Sequence, residues 1–168
     1  MAFFLKAKSW QLFLIFMAVI VSQPLLMAVL QNPMIAFGFS TGCLMLLLVG
    51  WLWSIGIASN KLLPEHLTRS TNLYSLGLVF ASVYGCAFGF FVSPTTGFPG
   101  YLLPFHLASM FFMFYALWFT AKQFTALQRK KAVTFFDFSG PFFMLWFFPI
   151  GVWFIQPRIN SLLRQKDA

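Results

Sequence analysis

Four long runs of this chain, residues 10–30, 34–58, 73–92 and 102–121, contain no Asp, Glu, Lys or Arg. An α-helix needs about 20 mainly apolar residues to cross roughly 30 Å of bilayer hydrocarbon, and each run is long enough. Lipid offers backbone groups no hydrogen bonds, so only helices and closed barrels span it. Runs this continuous predict helices. The expected fold is therefore an all-α bundle of four transmembrane helices in a single membrane domain. Composition agrees: of 168 residues, 60% are hydrophobic, 21% aromatic and 8% charged, with a mean hydropathy of +0.83. Soluble domains average roughly 45–50% apolar and about 25% charged. Eleven basic and three acidic side chains cannot cover the surface of a soluble fold of this length. A soluble domain, a disordered chain and, with two cysteines, a disulfide scaffold are excluded.

A net charge of +8 invites a polyanion-binding reading, but the positions of the charges argue otherwise. Lys6 and Lys8 precede the first run; Lys61 and Arg69 lie between the second and third. Lys122, Arg129, Lys130 and Lys131 follow the fourth, and Arg158, Arg164 and Lys166 lie near the end. The intervening stretches 31–33 and 93–101 carry none. By the positive-inside rule, the amino terminus, the loop around Glu65 and the segment after the fourth span are cytoplasmic. The basic balance is thus a topology signal, and nucleic acid is not expected as a partner. The first run is read as a retained anchor. It is too long for a typical signal-peptide core and lacks a clean cleavage site after it.

The stretch 138–157 is also uncharged. If it crossed, Arg158, Arg164 and Lys166 would lie outside and the charge bias would fall. Pro149 and Gly151 near its middle disfavour a continuous helix. A broken, re-entrant or interfacial segment is favoured, with five spans as the alternative. Pro24 predicts a kink in the first span.

Gly77, Ala81, Gly85 and Gly89 form a row of small residues at spacing four on the third span. Gly38, Gly42, Gly50 and Ser54 form an interrupted row on the second. Such rows let helix backbones approach. The simplest partners are each other, and a self-association or partner-subunit face is the alternative. Cys43 and Cys86 fall at comparable depths on these spans. Trp10, Trp51, Trp53 and Trp118 lie toward the basic ends, as an interfacial belt would. Fourteen of the 25 Phe fall between Phe105 and Phe154, giving a lipid-facing wall or a docking face. Arg129, Lys130 and Lys131 suit anionic headgroups or a cytoplasmic partner.

Reactive chemistry is hard to find. No charged residue lies centrally in any of the four spans, so a carboxylate relay is unsupported. His106, in the fourth span, is a possible ligand contact, and a hydrogen-bonded structural role is its plainer use. His66 lies in a loop, so bis-histidine haem ligation within the bundle is not expected. Glu65 and His66 lack a third metal ligand in sequence. Ser109 follows His106 without an orienting acid. No catalytic residue, cofactor or metal is expected. Ser22, Gln23, Ser40, Thr41, Ser75, Ser82, Tyr84 and Tyr115 are polar and uncharged, suited to interhelical bonding or to lining a path.

The stretch FDFSGPFFMLWFFPIGVWFIQPRIN, residues 136–160, resembles the end of a group of short, uncharacterised bacterial membrane proteins. That resemblance implies a bacterial cytoplasmic (inner) membrane and no activity. The leading expectation is a small non-catalytic membrane protein, an accessory subunit of a complex or a homo-oligomer, with membrane lipids and other subunits or itself as partners. The competing expectation is a transporter or channel component for a neutral or lipid-like molecule. A membrane enzyme ranks last.

Overall fold

The computed structural model describes residues 2–92 and 98–167, with side chains at 3–92 and 98–164. The chain forms α1 (Ala2–Lys6), α2 (Ser9–Leu30), α3 (Pro33–Leu62), α4 (Asn72–Phe91), α5 (Leu103–Arg129), α6 (Phe135–Trp146) and α7 (Phe148–Asp167). Single 3-10 turns at Glu65–Leu67 and Gly100–Leu102 precede α4 and α5. Among the described residues there is no strand. Four helices are long and apolar enough to cross a membrane: α2, α3, α4 and, with the turn before it, α5. Each coincides with one of the four uncharged runs, α3 and α5 extending past theirs to take in Lys61 and Arg129.

Local chemistry sets the boundaries. Gln31 ends α2 in the left-handed region, at φ 50°. Asn32 then caps α3, its Oδ1 accepting from the Met34 and Ile35 amides at 3.1 and 3.2 Å. Pro33 occupies the first turn, where a missing N–H costs nothing. The 63–71 connection is clamped by Asn60 of α3, which donates to the Arg69 carbonyl at 2.9 Å and accepts from its amide at 3.0 Å. Residues 93–97 of the expected outer turn lie outside the described residues. α2 continues through Pro24 as one helix.

α3 is the hub, packing against α2, α4 and α5. α3 has 30 residues and α5 has 27, more than the hydrocarbon requires. Their surplus lies at the end that carries Lys61 and Lys122–Arg129, which we term the basic end.

The uncharged stretch near the carboxyl terminus is broken, and the break falls at Phe147, two residues ahead of Pro149. Phe147 (φ −87°, ψ 58°) ends α6, and Pro149 sits harmlessly in the first turn of α7. Gly151 makes the fold-back possible, because a methyl group there would run into the backbone of Met144. α6 packs on α5 and α7, and α7 packs on α2 and α1. Both ends of this helical hairpin return to the basic end. Arg129 pairs with Asp137 at the start of α6. Leu162 on α7 joins Leu63, Ala126, Leu127 and Val133.

The deepest packing is at the same end. Leu12, Phe16, Trp51, Phe124, Phe138, Val152 and Ile155 share one cluster. Within it the Gln156 side chain is fully buried. It accepts from Trp51 Nε1 at 2.9 Å and donates to the carbonyls of Phe4 and Ala7 at 2.7 and 3.1 Å. Asn160 adds a bond to the Ala7 carbonyl at 3.0 Å. Trp51 therefore lies inside the bundle, while Trp10 keeps the exposed position expected of an interfacial residue. The short α1 has no counterpart among the expected elements, and this polar hub holds it against α7.

Candidate functional site: a cavity above the hairpin tip

The hairpin fills the space between α2 and α5 over only part of the bundle's depth. Its twelve-residue first arm rises about 18 Å, short of a full crossing. Where it stops there is a cavity of about 350 Å³. Thr41, Met45 and Leu48 of α3 form one wall; Tyr84, Gly85 and Phe88 of α4 form the next. His106, Ser109, Met113 and Phe114 of α5 face them, and Leu145 and Trp146 at the hairpin tip form the floor. Trp146 lies against Phe114, ring centroids 4.3 Å apart.

The walls are overwhelmingly apolar, and the polar groups are few. The His106 Nδ1 lies 3.1 Å from the Tyr84 hydroxyl. Phe88 stacks on the imidazole at 5.4 Å and 26°, and Phe98 meets it edge-on at 5.5 Å. The imidazole is therefore fixed in orientation by one hydrogen bond and two rings. Thr41 and Ser109 add hydroxyls to the lining. Among the described residues no Asp, Glu, Lys or Arg lines the cavity. Nor do any three His, Cys, Asp or Glu there form a group able to hold a metal. An apolar chamber with a few oriented polar groups is the usual form of a small-molecule site.

The small-residue positions are occupied within the chain. Gly38 and Gly89 mark the closest approach of α3 and α4: a methyl on Gly89 would meet the Gly38 backbone. Gly42 lies beside Cys86 and Gly85 beside the Met45 side chain. Cys86 Sγ points at the Gly42 carbonyl, 3.9 Å away, and both cysteines are free thiols. Ala81 is buried. Two members of the rows face other neighbours: Gly50 makes room for Phe4 of α1, and Gly77 for Phe112 of α5. Ser54 is buried and donates to the Gly50 carbonyl at 2.7 Å.

The three cations after the fourth span are not equivalent. Arg129 is tied to Asp137, which also accepts from the Thr134 amide and hydroxyl at 2.8 and 2.9 Å. The Thr134 bonds and then the Arg129 charge hold the Asp137 carboxyl below its ordinary value of 3.8. Lys130 ends α5 in the left-handed region at φ 52°, and Lys131 is exposed beside it.

Sequence reasoning singled out His106 and named Tyr84, Thr41 and Ser109 separately; the fold brings the four to one cavity. It missed Gln156, whose signal was a lone amide in an otherwise apolar stretch. Compared with known proteins, the chain matches no family model, no curated protein and no solved structure.

Proposed function

We propose that this protein is a non-catalytic, multi-pass component of a bacterial cytoplasmic membrane that binds a neutral, lipid-like molecule above its re-entrant hairpin, as part of moving or presenting it. The observation that carries this reading is the cavity itself, apolar along its walls, with His106, Tyr84, Thr41 and Ser109 supplying its polar contacts. A charged ligand would have no counter-charge there and would face a desolvation cost of several kcal/mol. A neutral head with hydroxyl or carbonyl groups matches the hydrogen-bonding capacity available. Among the described residues no carboxylate or second histidine lies beside His106 to build an acid–base pair. The amino terminus is assigned to the cytoplasm because all the basic residues gather at one end. A purely structural subunit is less well supported, since the rows of small residues it would dock through are already filled by α1, α4, α5 and each other.

The test is to purify the protein in mild detergent and identify its bound neutral lipids by mass spectrometry. Thr41→Phe, which fills the cavity, serves as the comparison. The expected result is one neutral amphiphile at near-stoichiometric amount in the native chain and its loss from the variant, with both proteins melting alike. Identical lipid profiles, or no bound neutral molecule in either, would sink the proposal.

A further inference from the structure

A second surface shares only Phe114 with the cavity. On α5, Phe111, Phe114, Tyr115 and Trp118 lie on one face at helical spacing. With Phe135 and Phe142 of α6 they line an open groove of about 420 Å³. Phe111 and Phe135 are at least half exposed. Trp118 is held by Tyr115, stacked at 6.0 Å, and by Phe138, edge-on at 6.1 Å. Over its face, 4.6 Å from the ring centroid, sits the Lys122 ammonium.

Lys122 differs from Arg129, which is tied to Asp137. Among the described residues the one ion pair joins Arg129 to Asp137, and the Lys122 ammonium makes no hydrogen bond. A half-buried cation held against an indole, with its donors unused, is poised for an anion. Lys122 is also the first charge after the fourth uncharged run, so it marks the hydrocarbon boundary. From there to Phe111 the helix climbs about 16 Å. That is roughly half of the 30 Å hydrocarbon thickness, the depth of one leaflet.

We propose that the α5–α6 groove binds an anionic phospholipid of the leaflet at the basic end, its acyl chain along the aromatic groove and its phosphate on Lys122. Charge and length select this occupant. A zwitterionic lipid gains the same chain contacts but offers the ammonium a headgroup with no net charge. The Arg129–Asp137 clasp fixes α6 beside α5 and so keeps the groove open. Lys130 and Lys131 lie beyond the end of the helix and are not part of the site.

Native mass spectrometry in detergent with equimolar phosphatidylglycerol and phosphatidylcholine tests this. The native chain should retain phosphatidylglycerol about five-fold over phosphatidylcholine, the size expected for one lysine at an anionic headgroup. Lys122→Gln should bring the ratio to near parity, while a Lys130→Gln, Lys131→Gln double variant should keep it. Parity in the native chain, an unchanged ratio in Lys122→Gln, or loss of preference in the double variant alone would overturn the proposal. In vesicles, brominated phosphatidylglycerol should quench tryptophan emission less in Trp118→Phe than in the native chain; equal quenching would count against the groove as the place of binding.

Discussion

The two ends of this bundle are built differently. At the basic end seven helices meet, and α2 buries Leu12 and Phe16 there while the rest of that helix stays partly or fully exposed. α5 shows the same gradient: Ser109 is its one buried residue before Ala116, and most of Ala116 to Leu127 is buried. At the opposite end only the long helices remain, in contact chiefly where Gly38 meets Gly89. The hairpin explains the difference. It thickens one half into a packed, hydrogen-bonded core and leaves a chamber in the other. Stability is thus concentrated in the half that carries the charges, and the space for a ligand in the half that does not.

Substitutions along a single helix break or sharpen that contrast. Phe16→Ala should cost about 4 kcal/mol, as a buried aromatic truncated to a methyl does. Leu25→Ala, nearer the other end of α2 and 67% exposed, should change the melting temperature little. Comparable losses at both positions would erase the distinction between the halves. Gln156→Leu comes next. It leaves the Trp51 indole N–H and the Phe4 carbonyl short of a partner in a buried site and the Ala7 carbonyl with Asn160 alone, at about 3 kcal/mol. Thermal melting in detergent should show the drop, with α1 becoming protease-sensitive before the rest. Gly89→Val is the expected exception on the open side, costing about 2 kcal/mol because it pushes against backbone that cannot yield as a side chain can.

The smallest effect concerns pH. The Asp137 carboxyl titrates below its ordinary value in the folded protein, so its contribution is present above the unfolded value near 3.8 and lost as pH falls through the lower folded value. Melting followed from pH 6 downward should therefore weaken more in the native chain than in Asp137→Asn as the acid limit is approached. Parallel curves would show that the cap and the Arg129 clasp hold little.

Much of this architecture was readable from residue order. The long helices follow from uncharged runs, because lipid permits few alternatives. The fold-back of the tail agrees with the expectation drawn from Arg158, Arg164 and Lys166, whose placement beyond a fifth crossing would weaken the charge bias. Its break was legible in kind and misplaced by two residues, since Pro149 is tolerated in a first helical turn and Phe147 takes the bend. Less accessible was which glycine meets which neighbour. That depends on helix rotation, so Gly50 and Gly77 were grouped with α3–α4 packing although they admit Phe4 and Phe112. Trp51 looked interfacial because depth is readable and facing direction is not. The cavity was least legible, being a space left by a hairpin that is too short, with its polar residues scattered over α3, α4 and α5.

All of this turns on the hairpin entering and leaving at one face. The direct measurement is sidedness: reporters fused before Met1 in one version and after Ala168 in another, each read for exposure across the membrane. The account predicts that both ends report the same side. Opposite sides would mean that 138–157 crosses, and the chamber above the hairpin tip would not exist as described.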